Sequence, residues 1–191
     1  MSHYPTGPDE HTKPMPTRAR NNTLARKITR LGVFGGLAVA VSVLESLVPQ
    51  PLPWSRIGFA NIVILVALYL DGPLAAVVVG ALKIFGGGLI MGSGFSPAFW
   101  LALAGTGASL LVMIPLWHFP RVFSPVGLAL AGSAAFNIAQ LLVAGLILVG
   151  IHSLLRLVPF MMIASIVTGG IIGWVTGWLL ARLSPNLVRL S

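Results

Sequence analysis

Apolar positions along the chain fall into six runs, at about 28–48, 57–70, 73–91, 97–117, 126–150 and 156–182, separated by short polar or Pro/Gly-rich breaks. A helix that crosses a bilayer needs about 20 mostly apolar residues, within a range of roughly 17–25. Four runs are long enough. The second is short and is stopped by Asp71-Gly72-Pro73, and the third is borderline and contains Gly86-Gly87-Gly88, a triplet expected to loosen or break its helix. Open sheets cannot satisfy their backbone groups in hydrocarbon. The pattern therefore predicts an all-α integral membrane protein, a six-transmembrane-helix bundle.

Polar and small residues inside these runs mark the faces. In the first run Gly32, Gly36 and Ala40 recur every four residues and form one smooth stripe, while Ser42 and Glu45 cluster on roughly the opposite side. Such a stripe suits close helix packing within the bundle or docking of another subunit. Ser165, Gly169, Gly173 and Gly177 form a longer stripe in the last run, expected to let a neighbouring backbone approach. Ser133, Asn137 and Gln140 share one face of the fifth run, where they would bind a ligand or tie two helices together; Asn61 carries the same two readings. Ser96-Pro97 and Ser124-Pro125 each read as a helix start, with Ser as N-cap and Pro in the first turn.

Lys83 is the sharpest position. It lies near the middle of the third run, where a charge is costly and usually functional. The alternatives are an ion pair with Glu45 or snorkelling toward the headgroups. The connection Pro49–Gly58 contains three prolines in five positions, which favour an extended path; its Trp54 and Arg56 would cover a pocket or anchor the interface.

Composition changes the picture in two ways. The chain has 191 residues, 56% hydrophobic and only 8% charged, with mean hydropathy +0.93, whereas soluble domains carry about 25% charged residues. Most of the charge behind the formal net +8 sets topology: nine of the twelve basic residues fall in the tails and connections assigned to the cytoplasmic side, and two, Arg56 and Arg156, on the other. This places both termini in the cytoplasm and argues against nucleic-acid binding, for which no fold pattern is present. The four acids are Asp9, Glu10, Glu45 and Asp71, so only two remain for the apolar body, too few for a carboxylate cluster. There is no cysteine, no P-loop signature, no aspartate-rich Mg²⁺-diphosphate motif and no GxSxG or HExxH. No catalytic residue, metal ligand or cofactor is assigned. The expected organisation is a disordered Pro-rich tail over 1–23, a transmembrane domain over 24–183 and a short tail over 184–191.

Pro51-Leu52-Pro53 with Gly58-Phe59-Ala60-Asn61-Ile62-Val63, Leu82-Lys83 with Gly94-Phe95-Ser96-Pro97-Ala98-Phe99, and Ala131-Gly132 with Phe136-Asn137-Ile138-Ala139-Gln140-Leu141 resemble the bacterial Gx transporter family, also labelled heptaprenyl diphosphate synthase component I. The resemblance covers about residues 30–182. That family is similar in layout to the substrate-capturing S components of energy-coupling factor transporters. The likeness implies that Gly32, Gly36 and Ala40 dock a coupling subunit and that residues 49–58 cover the ligand.

These readings converge on a multi-pass cell-membrane protein, S-component-like, that binds a small, anionic or phosphate- or prenyl-bearing molecule. Its expected partners are the lipid bilayer, that ligand and an ATP-driven coupling module in other chains. Lys83, Arg56, Glu45, Asn61, Asn137, Gln140 and Trp54 are the candidate ligand-binding residues. The alternatives are a non-catalytic membrane subunit of heptaprenyl diphosphate or quinone biosynthesis, or an assembly factor for a redox complex.

Overall fold

The computed structural model describes residues 17–47, 58–92, 94, 96–120, 122–149 and 158–183. They form six α-helices: α1 (Thr17–Leu47), α2 (Asn61–Asp71), α3 (Pro73–Ile90), α4 (Pro97–Trp117), α5 (Pro125–Ala144) and α6 (Val158–Leu183). A π-helical turn, Gly145–Val149, extends α5. There is no strand among the described residues.

The chain divides into two units, Met1–Arg30 and Leu31–Ser191. In the first, the described residues are helical from Thr17, inside the stretch expected to be a disordered tail. The last tail proline is Pro16, and no further proline follows until Pro49. Within this unit Thr29 Oγ1 donates to the Ala25 carbonyl at 2.9 Å. The helix bundle belongs to the second unit.

Five helical stretches are long and apolar enough to cross a membrane: Leu24–Leu47, Pro73–Ile90, Pro97–Trp117, Pro125–Ile147 and Val158–Leu183. The 11-residue α2 is the exception. At 1.5 Å per residue it is about 16 Å long, roughly half a hydrocarbon core. It is also the most enclosed element, with Val63, Ile64, Leu65, Val66, Ala67 and Leu68 all buried. Burial on every side accounts for its run of apolar residues without a polar face. Gly72 makes the turn from α2 to α3 with φ +89°, a conformation disfavoured for residues with a Cβ. Pro73 then opens α3, where its missing N–H leaves no bond unmade.

The two Ser-Pro starts form as expected. Ser96 Oγ accepts from the Phe99 N–H at 3.4 Å and Ser124 Oγ from the Gly127 N–H at 3.2 Å, with Pro97 and Pro125 in the first turns. Ser124→Ala is expected to destabilise the protein by about 1 kcal/mol, the usual worth of an N-cap. Thermal unfolding in detergent against the wild-type chain measures it.

Gly86-Gly87-Gly88 does not break α3, contrary to the expectation from sequence, and the helix continues to Ile90. The triplet instead makes a low surface on which neighbours sit. A Cβ added at Gly86 would lie 2.7 Å from Val39 Cγ2, at Gly87 3.6 Å from Ser42 Oγ, and at Gly88 3.3 Å from the Phe99 ring. Packing by α1 and α4 on both flanks offsets the weak helix propensity of glycine.

The expected close approach along the last helix is present at two of its four positions. A Cβ at Gly169 would meet Leu130 Cα at 2.9 Å, and at Gly173 Val126 Cα at 2.5 Å. Here α5 and α6 touch backbone to backbone. Gly177 has open space beside it, and Ser165 is buried.

Candidate functional site

Three buried polar residues, Glu45, Asn61 and Lys83, gather near the start of α2. Residue 60, just before the helix, is Ala60, which offers no side-chain cap. Glu45 on α1 instead holds the approach to the helix: it accepts a hydrogen bond from the backbone N–H of Gly58, three residues before Asn61. An acid is favourable beside the positive end of a helix. Gly58 has φ +87°, so the chain turns into α2 through a conformation suited to glycine.

Asn61 and Lys83 lie the same eleven residues before and after Gly72, so the α2–α3 hairpin brings them level. Lys83 Nζ donates to Asn61 Oδ1 at 2.9 Å, and both side chains are buried. The Lys83 ammonium also stands 5.4 Å from the centre of the Phe136 ring on α5, within cation–π range. That ring is seated by Gly105 of α4, where a Cβ would come within 2.8 Å of it and 3.1 Å of Gln140 Cγ. The Gly58 backbone closes over the same ring, its Cβ position 3.6 Å from Phe136 Cε1. Asn61 of α2 and Phe136 of α5 thus flank the ammonium of α3 at mid-helix depth, and Gly105 of α4 and, through Gly58, Glu45 of α1 connect to them. The interior is poorly solvated, so the charge acts there with little screening.

The predicted residues separate into groups. Glu45, Asn61 and Lys83 belong to this cluster, and Gln140 borders it through Gly105. Asn137 points elsewhere: its Nδ2 donates to Ser165 Oγ at 2.7 Å, and Ser165 Oγ donates to the Met161 carbonyl at 2.7 Å. This bond ties α5 to α6, one of the two readings of that residue. Trp54, Arg56 and the covering connection 49–58 up to residue 57 lie outside the described residues.

Gly32, Gly36 and Ala40 are exposed, and the two glycines have open space beside them. Contact with α3 is made one position over, where Gly35 meets the Leu82 side chain. The stripe lines an apolar groove of about 530 Å³ between α1 and α3.

The roles of Phe136 and Gly105 emerge only from the structure. An apolar ring and a glycine in apolar runs carry no polarity signal. The available clue is that Phe136 stands one turn before Gln140, on the same face.

Among the described residues no group of three or more His, Cys, Asp or Glu could hold a metal ion. Glu45 and Asp71, the two acids there, lie at opposite ends of α2.

Apolar helices long enough to span a bilayer, with a charged cluster enclosed among them, define a multi-pass helical membrane protein. The chain belongs to the family described as heptaprenyl diphosphate synthase component I, whose sequence profile matches residues 34–179. No curated protein and no solved structure matches it. The matched region begins inside the second unit and includes Glu45, Asn61, Lys83, Gly105, Phe136 and Gln140.

Proposed function

We propose that this chain is the substrate-binding membrane subunit of a transport system for a small anionic or phosphate- or prenyl-bearing molecule, energised by partner subunits. The observation that carries the reading is the buried Lys83 ammonium held by Asn61 and Phe136 part-way along an apolar helix. A charge at that depth costs about 2.5–3.5 kcal/mol even on the mildest scale. Leucine or methionine would fill the volume without that cost. A fixed cation in a poorly solvated site attracts a phosphate or carboxylate. Glu45 braces the entrance to α2, and Asn61 and Gln140 supply hydrogen-bonding groups beside the cation. In this reading the exposed Gly32–Gly36–Ala40 face receives the energising module. The protein lies in the cell membrane with both termini cytoplasmic.

The family description favours a second reading, a non-catalytic membrane subunit of heptaprenyl diphosphate synthesis. Under it, a soluble prenyl synthase co-purifies with the chain and Lys83 is dispensable for that association.

Native mass spectrometry of the gently solubilised protein separates the two. The transport reading expects a small anionic molecule on the wild-type chain, with occupancy reduced about tenfold or more in Lys83→Met, the equivalent of one lost charge-assisted hydrogen bond. Equal occupancy in the two proteins would remove Lys83 from the site.

A further inference from the structure

A second feature lies on the far side of α2 from Asn61. Phe59, Val63 and Val66 turn away from the Lys83 cluster and, with α1 and α6, enclose a cavity of about 250 Å³. Every lining side chain is hydrocarbon: Val41 forms the α1 wall, Phe59 and Val66 the α2 wall, and Leu179 the α6 wall. Leu37 and Leu183, both more than half exposed, rim its mouth. From Phe59 to Val66 the cavity follows α2 for about 10 Å. Beyond the lining, Glu45 lies one turn past Val41 on α1, and its bond to Gly58 ties α1 to the approach to α2.

We propose that this cavity holds one acyl chain of a membrane phospholipid. Water needs two to four polar partners, and the lining side chains offer none. A polar or charged ligand would lose its solvation without return. An apolar cavity of about 150 Å³ already admits a benzene ring, so this one is large enough for a chain segment. Left empty, it would forfeit the dispersion contacts of its walls. Its mouth is flanked by exposed leucines on two helices long enough to cross the bilayer, so it opens where acyl chains are the apolar molecules at hand. Lining residues spread over about 10 Å along α2 suit a chain segment lying along the helices.

The test is native mass spectrometry of the full chain released from nanodiscs of phosphatidylethanolamine and phosphatidylglycerol. One phospholipid is expected to stay on each wild-type chain under activation that strips the others. Val66→Phe and Val41→Phe, which fill the cavity from the α2 and the α1 wall, are expected to lower that retained fraction about tenfold, as the loss of a few buried methylenes implies. Ile166→Phe, on the exposed face of α6, should leave it unchanged. Added phospholipid should raise the melting temperature of the wild-type protein in detergent and not that of Val66→Phe. Should Val66→Phe fail to fold, Val41→Phe carries the same test, because its side chain is only half-buried. Undiminished retention in the filled variants overturns the proposal, as does a retained isoprenoid in place of a phospholipid, or no retained lipid.

Discussion

Gly173→Leu is expected to abolish recovery of folded protein. A Cβ at this position would stand 2.5 Å from the Val126 Cα and 3.1 Å from the Ala129 Cβ. The first obstacle is backbone, so no rotamer change on α5 can relieve it. Overpacking costs about 1–3 kcal/mol when side chains can adjust, and at least the upper end applies where a helix must move. The α5–α6 contact also includes the Asn137–Ser165 hydrogen bond, and parting the helices would break it. Gly177→Leu is the internal control, since that glycine faces open space. Size-exclusion profiles of detergent extracts should show a monodisperse peak for Gly177→Leu and little or none for Gly173→Leu. A monodisperse Gly173→Leu protein with wild-type thermal stability would mean that α5 and α6 do not approach closely there.

Asn61→Leu is expected to destabilise by about 1.5–3 kcal/mol, the value of a hydrogen bond to a charged group. The substitution takes the carboxamide acceptor from a buried ammonium and leaves the charge in place. Replacing both partners removes the charge along with its acceptor, so the Asn61→Leu/Lys83→Met double variant should recover most of the loss. It should nevertheless bind no anionic ligand, which separates the stability of the cluster from its use. Thermal unfolding of the four proteins closes the cycle and yields the coupling energy. A double variant as unstable as Asn61→Leu alone would mean that Lys83 is held chiefly by other contacts.

The single residues of the site were largely visible in the sequence, because a polar group in an apolar run is conspicuous. Lys83, Asn61, Glu45 and Gln140 all stand out in this way. Their partners were less visible. The sequence offers Glu45 as an ion-pair partner for Lys83; the structure adds an Asn61 acceptor and a Phe136 ring. The link to Asn61 follows from the α2–α3 hairpin, whose turn at Gly72 makes the two residues level. Phe136 was hidden because its role depends on a notch at Gly105 in another helix.

Glycine shows the division most plainly. Spacing alone established smooth faces, and hydrophobic runs of sufficient length established membrane-crossing helices, because the bilayer dictates both length and internal hydrogen bonding. The tertiary structure decided which smooth faces are covered. Gly169 and Gly173 meet a backbone, Gly86 to Gly88 carry α1 and α4 and so keep α3 whole, and Gly32 with Gly36 remain open. A missing Cβ permits close approach from any neighbour, and only the packing of the other helices determines whether one arrives.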